Sequence, residues 1–151
     1  MQAGVVQGSR RELAHAPPEV RRVIGAQRVD FVAVPTRDRE RAARFYGETL
    51  GFGRNPNSSD TWIEFETGNL TLALVQPETI GVDFAPLPFG SIAIRVPDVA
   101  AAKQRLGEAG VEFRGEIWDS GVCHGAVFSD PDGNGLLLHH RYAPYRDGTT
   151  P

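Results

Sequence analysis

The sequence predicts an α+β fold built from two copies of one module, in which a strand and a helix are followed by three more strands. The main observation is that the same order of strand-like and helix-like segments recurs after about sixty residues. Asp38 and Asp98 mark matching helix starts, because a short carboxylate can accept the free N–H groups of a first turn. Gly51 and Gly110 mark matching helix ends. We therefore expect modules at residues 29–76 and 91–142 that share one core in a single domain.

The first module is predicted from its periodicity. Residues 29–35 alternate apolar side chains as a strand does, and residues 39–50 follow as a helix. Residues 61–66 and 70–75 are predicted to form a hairpin around the Thr-Gly-Asn sequence at 67–69.

The second module repeats this order. A strand is predicted at 91–96 and a helix at 99–109, and residues 111–113 begin the next strand. The closing hairpin runs from residue 122 to residue 140 around the Asp-Pro-Asp-Gly sequence at 130–133, which is strong turn chemistry. Outside the modules, we expect a flexible arm at 1–28, a linker at 77–90 and a tail at 143–151.

Composition excludes several classes of protein. The 151 residues carry 16 basic and 19 acidic side chains with a net charge of −3, and 40% of residues are hydrophobic. No basic run is longer than two arginines, so neither nucleic acid nor a membrane is expected as a partner. The single cysteine and the absence of a long apolar stretch favour a soluble cytoplasmic protein.

Two motifs carry a resemblance to a known family. They are the sequence RAARFY at 41–46 followed by LGF at 50–52, and the sequence FSDPDGN at 128–134. With the paired modules, they resemble the vicinal oxygen chelate superfamily, which includes glyoxalase I, bleomycin-resistance proteins, fosfomycin-resistance enzymes and extradiol dioxygenases. The resemblance covers residues 29–142. It implies a glyoxalase-like fold, in which the modules form a curved mixed sheet around a concave binding bowl, and it implies a homodimer.

The same resemblance locates the family's metal positions in this chain. They fall on Phe31, Ser91 and Leu137, with the fourth among residues 71–73, Thr-Leu-Ala. A divalent cation needs imidazole, carboxylate or thiolate donors, which these residues lack. We therefore expect no metal and no other cofactor.

Strand alternation predicts which residues line the bowl. If the branched apolar residues of each strand face the helices, their neighbours face the bowl. The candidate ligand-binding residues are Phe31, Ala33, Trp62, Glu64, Ser91, Arg95, Leu137, His139 and Arg141. Arg95 could pair with Glu64 or bind an anionic ligand.

Histidines provide the candidates for catalysis. If Ser129 pairs with Asn134, then His124 lies opposite His139 on the bowl face. His139, His124 and Glu64 are then candidate acid-base residues, or ligands of a relocated metal site. Cys123 is placed on the core side by the same count. Each histidine could equally be a structural residue on the rim.

Three functions remain open on the sequence alone. The first is metal-free binding of a hydrophobic, partly aromatic metabolite or antibiotic, as the bleomycin-resistance branch implies. The second is a lyase, isomerase or dioxygenase-like enzyme that uses His139, His124 or Glu64. The third is an interaction protein whose bowl is filled by another chain. The apolar, proline-rich linker is expected to pack over the mouth of the bowl.

Overall fold

Two four-stranded mixed sheets form the fold, as predicted, in a computed structural model that describes residues 25–151. Residues 1–24 of the predicted arm lie outside the described residues. The first sheet, sheet A, has the order β1-β4-β3-β2, and the second, sheet B, has the order β5-β8-β7-β6. The strands are β1 Phe31–Pro35, β2 Gly53–Arg54, β3 Ile63–Glu66, β4 Thr71–Val75, β5 Ile92–Arg95, β6 Phe113–Asp119, β7 Cys123–Ser129 and β8 Gly135–Arg141.

Each module contains one helix at its predicted place. Asp38 accepts a hydrogen bond from the Arg41 amide at 3.0 Å and caps α1, Arg39–Arg44, which continues as a π-helical turn at Phe45–Thr49. Asp98 caps α2, Val99–Glu108, in the same way through the amide of Ala101. A short 3-10 helix, Pro77–Ile80, begins the linker. Within the described chain, no helix is long and apolar enough to cross a membrane.

Both sheets bury one face in a common core. Core residues from sheet A, such as Leu72, pack in one cluster with residues from sheet B, such as Leu136. Tyr46 and Phe128 are among the largest fully buried side chains of that cluster. The modules therefore share one core, and each sheet turns its other face outward. We call these outward faces the open faces of sheets A and B.

A loop at residues 130–134, whose three polar side chains Asp130, Asp132 and Asn134 are buried, ties the modules together. Its Asp132 accepts hydrogen bonds from the hydroxyl of Thr36 at 2.5 Å and from the guanidinium of Arg41 at 2.9 Å. Tyr46 donates to Asp130 at 2.9 Å, and Asn134 donates to the carbonyl of Pro35 at 2.8 Å. Burial raises the pKa of Tyr46, and the charge of Asp130 raises it further. The turn predicted at 130–133 is thus also the joint between the modules.

The closing hairpin pairs one residue away from the predicted register. Ser129 pairs with Gly135 rather than with Asn134, so His124 lies opposite His140 and not opposite His139. The cause is Asn134, whose carbonyl accepts from the Asp130 amide while its side chain bonds Pro35 and Leu87. Asn134 belongs to the loop, and the count along both strands shifts by one.

The linker crosses the start of β8. The Leu87 amide donates to the side chain of Asn134 at 2.8 Å, and the Gly135 amide donates to the Leu87 carbonyl at 2.9 Å. A Cβ atom on Gly135 would collide with the carbonyl of Pro88. The linker therefore covers one end of the open face of sheet B, where only glycine leaves room for its backbone.

Candidate functional site

The strand pairing of sheet A shows which side chains lie on its open face. Phe31 pairs with Thr71, and Ala33 pairs with Ala73 in the parallel ladder of β1 and β4. Glu64 pairs with Ala73 from the other side, while the alternate residues of these strands enter the core. The residues of this face include Phe31, Ala33, Glu64, Glu66, Thr71 and Ala73.

An exposed aromatic pair dominates this face. The rings of Phe31 and Trp62 meet edge to face with centroids 5.5 Å apart. Phe31 is 46% exposed and Trp62 is 37% exposed. The indole N–H of Trp62 donates to Glu64 at 2.5 Å, which fixes the ring beside the carboxylate. Three of the predicted site residues therefore lie together.

The open face of sheet B carries the remaining predicted residues. Ala93 pairs with Leu137 and Arg95 pairs with His139, so these four side chains share a face. The antiparallel neighbours of β8 extend this face across β7, because Cys123 pairs with Arg141 and Gly125 with His139. Cys123 therefore lies on the open face, and its predicted place on the core side is wrong because of the shifted register. Ser91 lies just before β5, and its hydroxyl donates to the Pro88 carbonyl at 2.7 Å.

Trp118 is a residue of this face that sequence reasoning missed. It pairs with Gly125, and its indole ring fills the space where a Cβ atom of Gly125 would lie. The ring thus stands beside His139, which pairs with Gly125 from the other side. The sequence predicted only the start of this strand, at residues 111–113, so no face was assigned to Trp118, although it lies on the same face as Arg114. The signal in the sequence was Gly125, because a glycine within a strand often marks a place where another group approaches the backbone closely.

The C-terminal tail holds Arg141 in place. The guanidinium donates to the carbonyl of Pro144 at 3.0 Å and lies 4.8 Å from the ring centroid of Tyr145. Its Nε is buried and has no hydrogen-bond partner in the described chain. The predicted tail is therefore part of the wall beside this face.

His124 does not belong to the open face, so its predicted place in the bowl is wrong. It shares the other face with His140, whose Nδ1 lies 2.9 Å from the carbonyl of Val96. His124 instead approaches Asp119, with Nε2 and Oδ2 3.4 Å apart, and its ring lies 4.8 Å from that of Tyr142. A backbone hydrogen bond from Gly121 and one from the Tyr142 hydroxyl hold the pKa of Asp119 below its usual value.

The relocated metal site is contradicted by this geometry. His124 and His139 occupy opposite faces of sheet B, and Glu64 lies on sheet A. No group of three or more histidine, cysteine, aspartate or glutamate side chains in residues 25–151 could hold a metal ion. His139 and Glu64 remain predicted site residues on separate open faces.

The positions that hold metal in the family's metal-dependent members do not fit a cation here. In the first module Ala73 pairs with Ala33, just as Leu137 pairs with Ala93 in the second. Ala73 is therefore the fourth position, which the sequence left open among residues 71–73. With Phe31, Ser91 and Leu137, the set offers a single hydroxyl and no carboxylate, imidazole or thiolate.

The two open faces carry opposite charges. Glu64 and Glu66 are the charged residues that the pairing assigns to the open face of sheet A. On sheet B the pairing assigns Arg95, Arg114 and Arg141 to the open face and no carboxylate. The faces are therefore electrostatically complementary, although they belong to different sheets of one core.

Comparisons with known proteins agree with this architecture. The family model described as Glyoxalase/Bleomycin resistance protein/Dioxygenase superfamily matches residues 28–138. No curated protein matches the chain.

Solved structures share the fold. The crystal structure of TnmS3, described as an antibiotic binding protein from Streptomyces sp. CB03234, is 30% identical, with a TM-score of 0.65 over 78% of this chain and 98% of that one. A glyoxalase/bleomycin resistance protein from the same organism is also 30% identical, with a TM-score of 0.60 over 76% of this chain and 100% of that one. A superfamily member from Sphaerobacter thermophilus DSM 20745 is 25% identical, with a TM-score of 0.66 over 77% of this chain and 98% of that one.

Proposed function

Because this chain belongs to the glyoxalase/bleomycin resistance protein/dioxygenase superfamily, we propose that it binds a partly aromatic metabolite or antibiotic reversibly and without a metal ion. The observation that carries the proposal is the exposed Phe31–Trp62 pair on the open face of sheet A. Two large aromatic rings held edge to face at the surface leave apolar area in water that a planar ligand would cover.

The similarity to TnmS3 supports the class of ligand. That protein is described as antibiotic binding, and this chain covers nearly all of its length. Binding of this type needs apolar walls, stacking aromatics and a few polar anchors, and it needs no catalytic residue. Phe31, Trp62 and Trp118 supply the aromatics.

We further propose that the chain is a homodimer in which each site is completed by the second copy. Both sheets bury one face in the common core, so the open faces within one chain look outward from it. A site with two walls then needs the open face of sheet A from one copy and that of sheet B from the other. Their opposite charges favour this contact, and β1 and β5 are edge strands with exposed residues such as Phe31 and Ala93.

Intrinsic fluorescence tests the binding directly, because both tryptophans of the chain border the open faces. Planar antibiotics and aromatic metabolites are titrated into the purified protein, and each hit is followed by mass spectrometry. We expect Trp62→Ala to weaken binding by about 0.5–1.5 kcal/mol more than Glu66→Ala does, since the aromatic contact contributes beyond its buried area. Failure of every planar compound to bind would refute the proposal.

Mass spectrometry separates binding from catalysis. A binding protein returns each hit unchanged. Conversion of a hit at a rate that His139→Ala lowers by about a hundredfold would show an acid-base enzyme instead.

Mixing two variants of weakened affinity tests the shared site. Trp62→Ala removes the wall of sheet A, and Trp118→Ala removes the wall of sheet B. In a mixed dimer, one site has both substitutions and the other has neither. Because random mixing of equal amounts makes about half of the dimers mixed, about a quarter of all sites should bind with the affinity of the unaltered protein. If the mixture binds no better than either variant, each site lies within one chain. Light scattering should also give the mass of a dimer.

A further inference from the structure

We infer that the ligand carries an anionic group, a carboxylate or a phenolate, which Arg95 and Arg141 bind on the open face of sheet B. This inference deepens the proposed function and rests on it. It concerns the chemical class of the ligand and the residues that select it.

Arg95 is an uncompensated cation on an apolar surface. It pairs along the ladder with His139, and its neighbours on the same face are Ala93 and Leu137. Residues 25–151 provide no ion pair or side-chain hydrogen bond for its guanidinium. A guanidinium stays charged and presents donors that match a carboxylate in a bidentate geometry.

Arg141 lies one step along the same face and is already ordered. The Pro144 carbonyl and the Tyr145 ring fix its position, but neither supplies a negative charge. Its buried Nε also lacks an acceptor in the described chain. An arginine held by a carbonyl and a ring keeps its charge available, and it loses little further freedom when an anion arrives.

Arg95 and Arg141 place two positive charges on one face, which is unfavourable when no anion is present. Arg95 lies opposite His139 in the neighbouring strand, Arg141 lies two residues beyond His139 in β8, and the pairing places no carboxylate on this face. A ligand that brings a negative charge relieves this repulsion and makes charge-assisted hydrogen bonds. A neutral ligand of the same shape gains only the aromatic contacts.

The carboxylates of sheet A are the competing partners. In a dimer, Glu64 or Glu66 of the second copy would approach these arginines. Glu64, however, already accepts from the Trp62 indole at 2.5 Å, and Glu66 accepts from Asn55 at 2.6 Å and Thr71 at 3.0 Å. Each carboxylate already has hydrogen-bond donors on its own sheet, so the donors of the arginines stay available to an anionic ligand.

A matched pair of planar probes tests the inference. Anthraquinone-2-carboxylate and anthraquinone-2-carboxamide have nearly the same shape and differ by one charge. We expect the full chain to bind the carboxylate about tenfold more tightly at pH 7.5 and low salt. The preference should shrink as ionic strength rises from about 50 to about 300 mM, because salt screens the contact.

Two variants of Arg95 and one control test whether this arginine causes the preference for the carboxylate probe. Arg95→Gln should remove most of the preference, because it lowers the affinity for the carboxylate more than the affinity for the carboxamide. Arg95→Lys should retain part of it, because the charge remains and the bidentate geometry is lost. Arg105→Gln, on the exposed surface of α2, makes the same change in net charge and should leave the preference intact.

The possible failures are distinguishable. If both probes bind equally well to the unaltered chain, the inference is wrong and the proposed aromatic site stands. If the preference is undiminished in Arg95→Gln, or if the Glu64→Gln variant gains as much carboxylate binding as Arg95→Gln loses, the inference is wrong and Arg95 serves another role, such as contact with the carboxylates of sheet A. If neither probe nor any other planar compound binds, the proposed function falls with the inference. The wild-type comparison and its salt dependence decide the outcome even if the Arg95→Gln variant folds poorly.

Discussion

The hydroxyl of Tyr46 donates a hydrogen bond of 2.9 Å to the carboxylate of Asp130, 84 residues further along the chain. Both residues are buried, and the bond joins the π-helical turn of the first module to the closing hairpin of the second. We expect Tyr46→Phe to lower the free energy of unfolding by about 1.5–3 kcal/mol, the usual contribution of a hydrogen bond to a charged group. Urea denaturation measures the change.

The control for this variant is Tyr142→Phe, which removes a 2.8 Å hydrogen bond to the exposed Asp119. Its loss should be clearly smaller, because water replaces the hydroxyl. Equal losses in the two variants would mean that burial does not strengthen the Tyr46–Asp130 contact.

Gly135→Ala should destabilise the joint between the linker and sheet B. An added Cβ atom would collide with the carbonyl of Pro88, which is backbone and cannot rotate away. We expect a loss of about 1–3 kcal/mol by thermal or urea unfolding, as overpacking usually causes. Gly53→Ala is the matched control in an exposed strand with open space around it, and it should stay within about 0.5 kcal/mol. A tolerated Gly135→Ala would show that the linker does not lie tightly on β8.

Gly125→Ala should displace Trp118. The new methyl group would occupy the position of the indole ring, so the ring must move away from the open face. We expect altered tryptophan emission and an affinity for planar ligands that is weaker by about 0.5–1.5 kcal/mol. Gly107→Ala, in the exposed part of α2 with free space around it, is the control and should change neither. Unchanged emission in Gly125→Ala would place the indole elsewhere.

The pKa of Asp119 should rise in the Tyr142→Phe variant. The hydroxyl of Tyr142 stabilises the charged carboxylate, and its loss leaves the Gly121 amide as the main cause of the lowered pKa. Because the folded pKa is depressed, the contribution of Asp119 to stability is present above the usual carboxyl pKa of about 3.9 and is lost as the pH falls through the folded value. An NMR titration of the Asp119 carboxyl measures the shift. An unchanged pKa would mean that the Tyr142 contact is not formed in solution.

Local signals predicted the fold well. Asp38 and Asp98 cap the two helices as expected, since capping depends on residues within one turn. Alternation assigned Phe31, Arg95 and Leu137 to the correct faces, because their strands are regular.

The errors arose where distant residues decide the local structure. Asn134 leaves the ladder because its side chain bonds Pro35 and Leu87, which lie 99 and 47 residues away. No spacing within the hairpin reveals these partners, so the register moved by one and His124 changed faces. Trp118 was missed because the sequence predicted only the start of β6, at residues 111–113, and assigned no face to the residues after it.

The joint at residues 130–134 has a consequence for biosynthesis. During translation, Thr36, Arg41 and Tyr46 leave the ribosome long before the carboxylates that they bind have been made. These three side chains therefore wait for almost the whole chain before they find their partners, and the final folding step should be late and cooperative. A nascent chain halted before Asp130 exposes the apolar residues of the first module, so chaperone capture or proteolysis should concentrate on chains of that length.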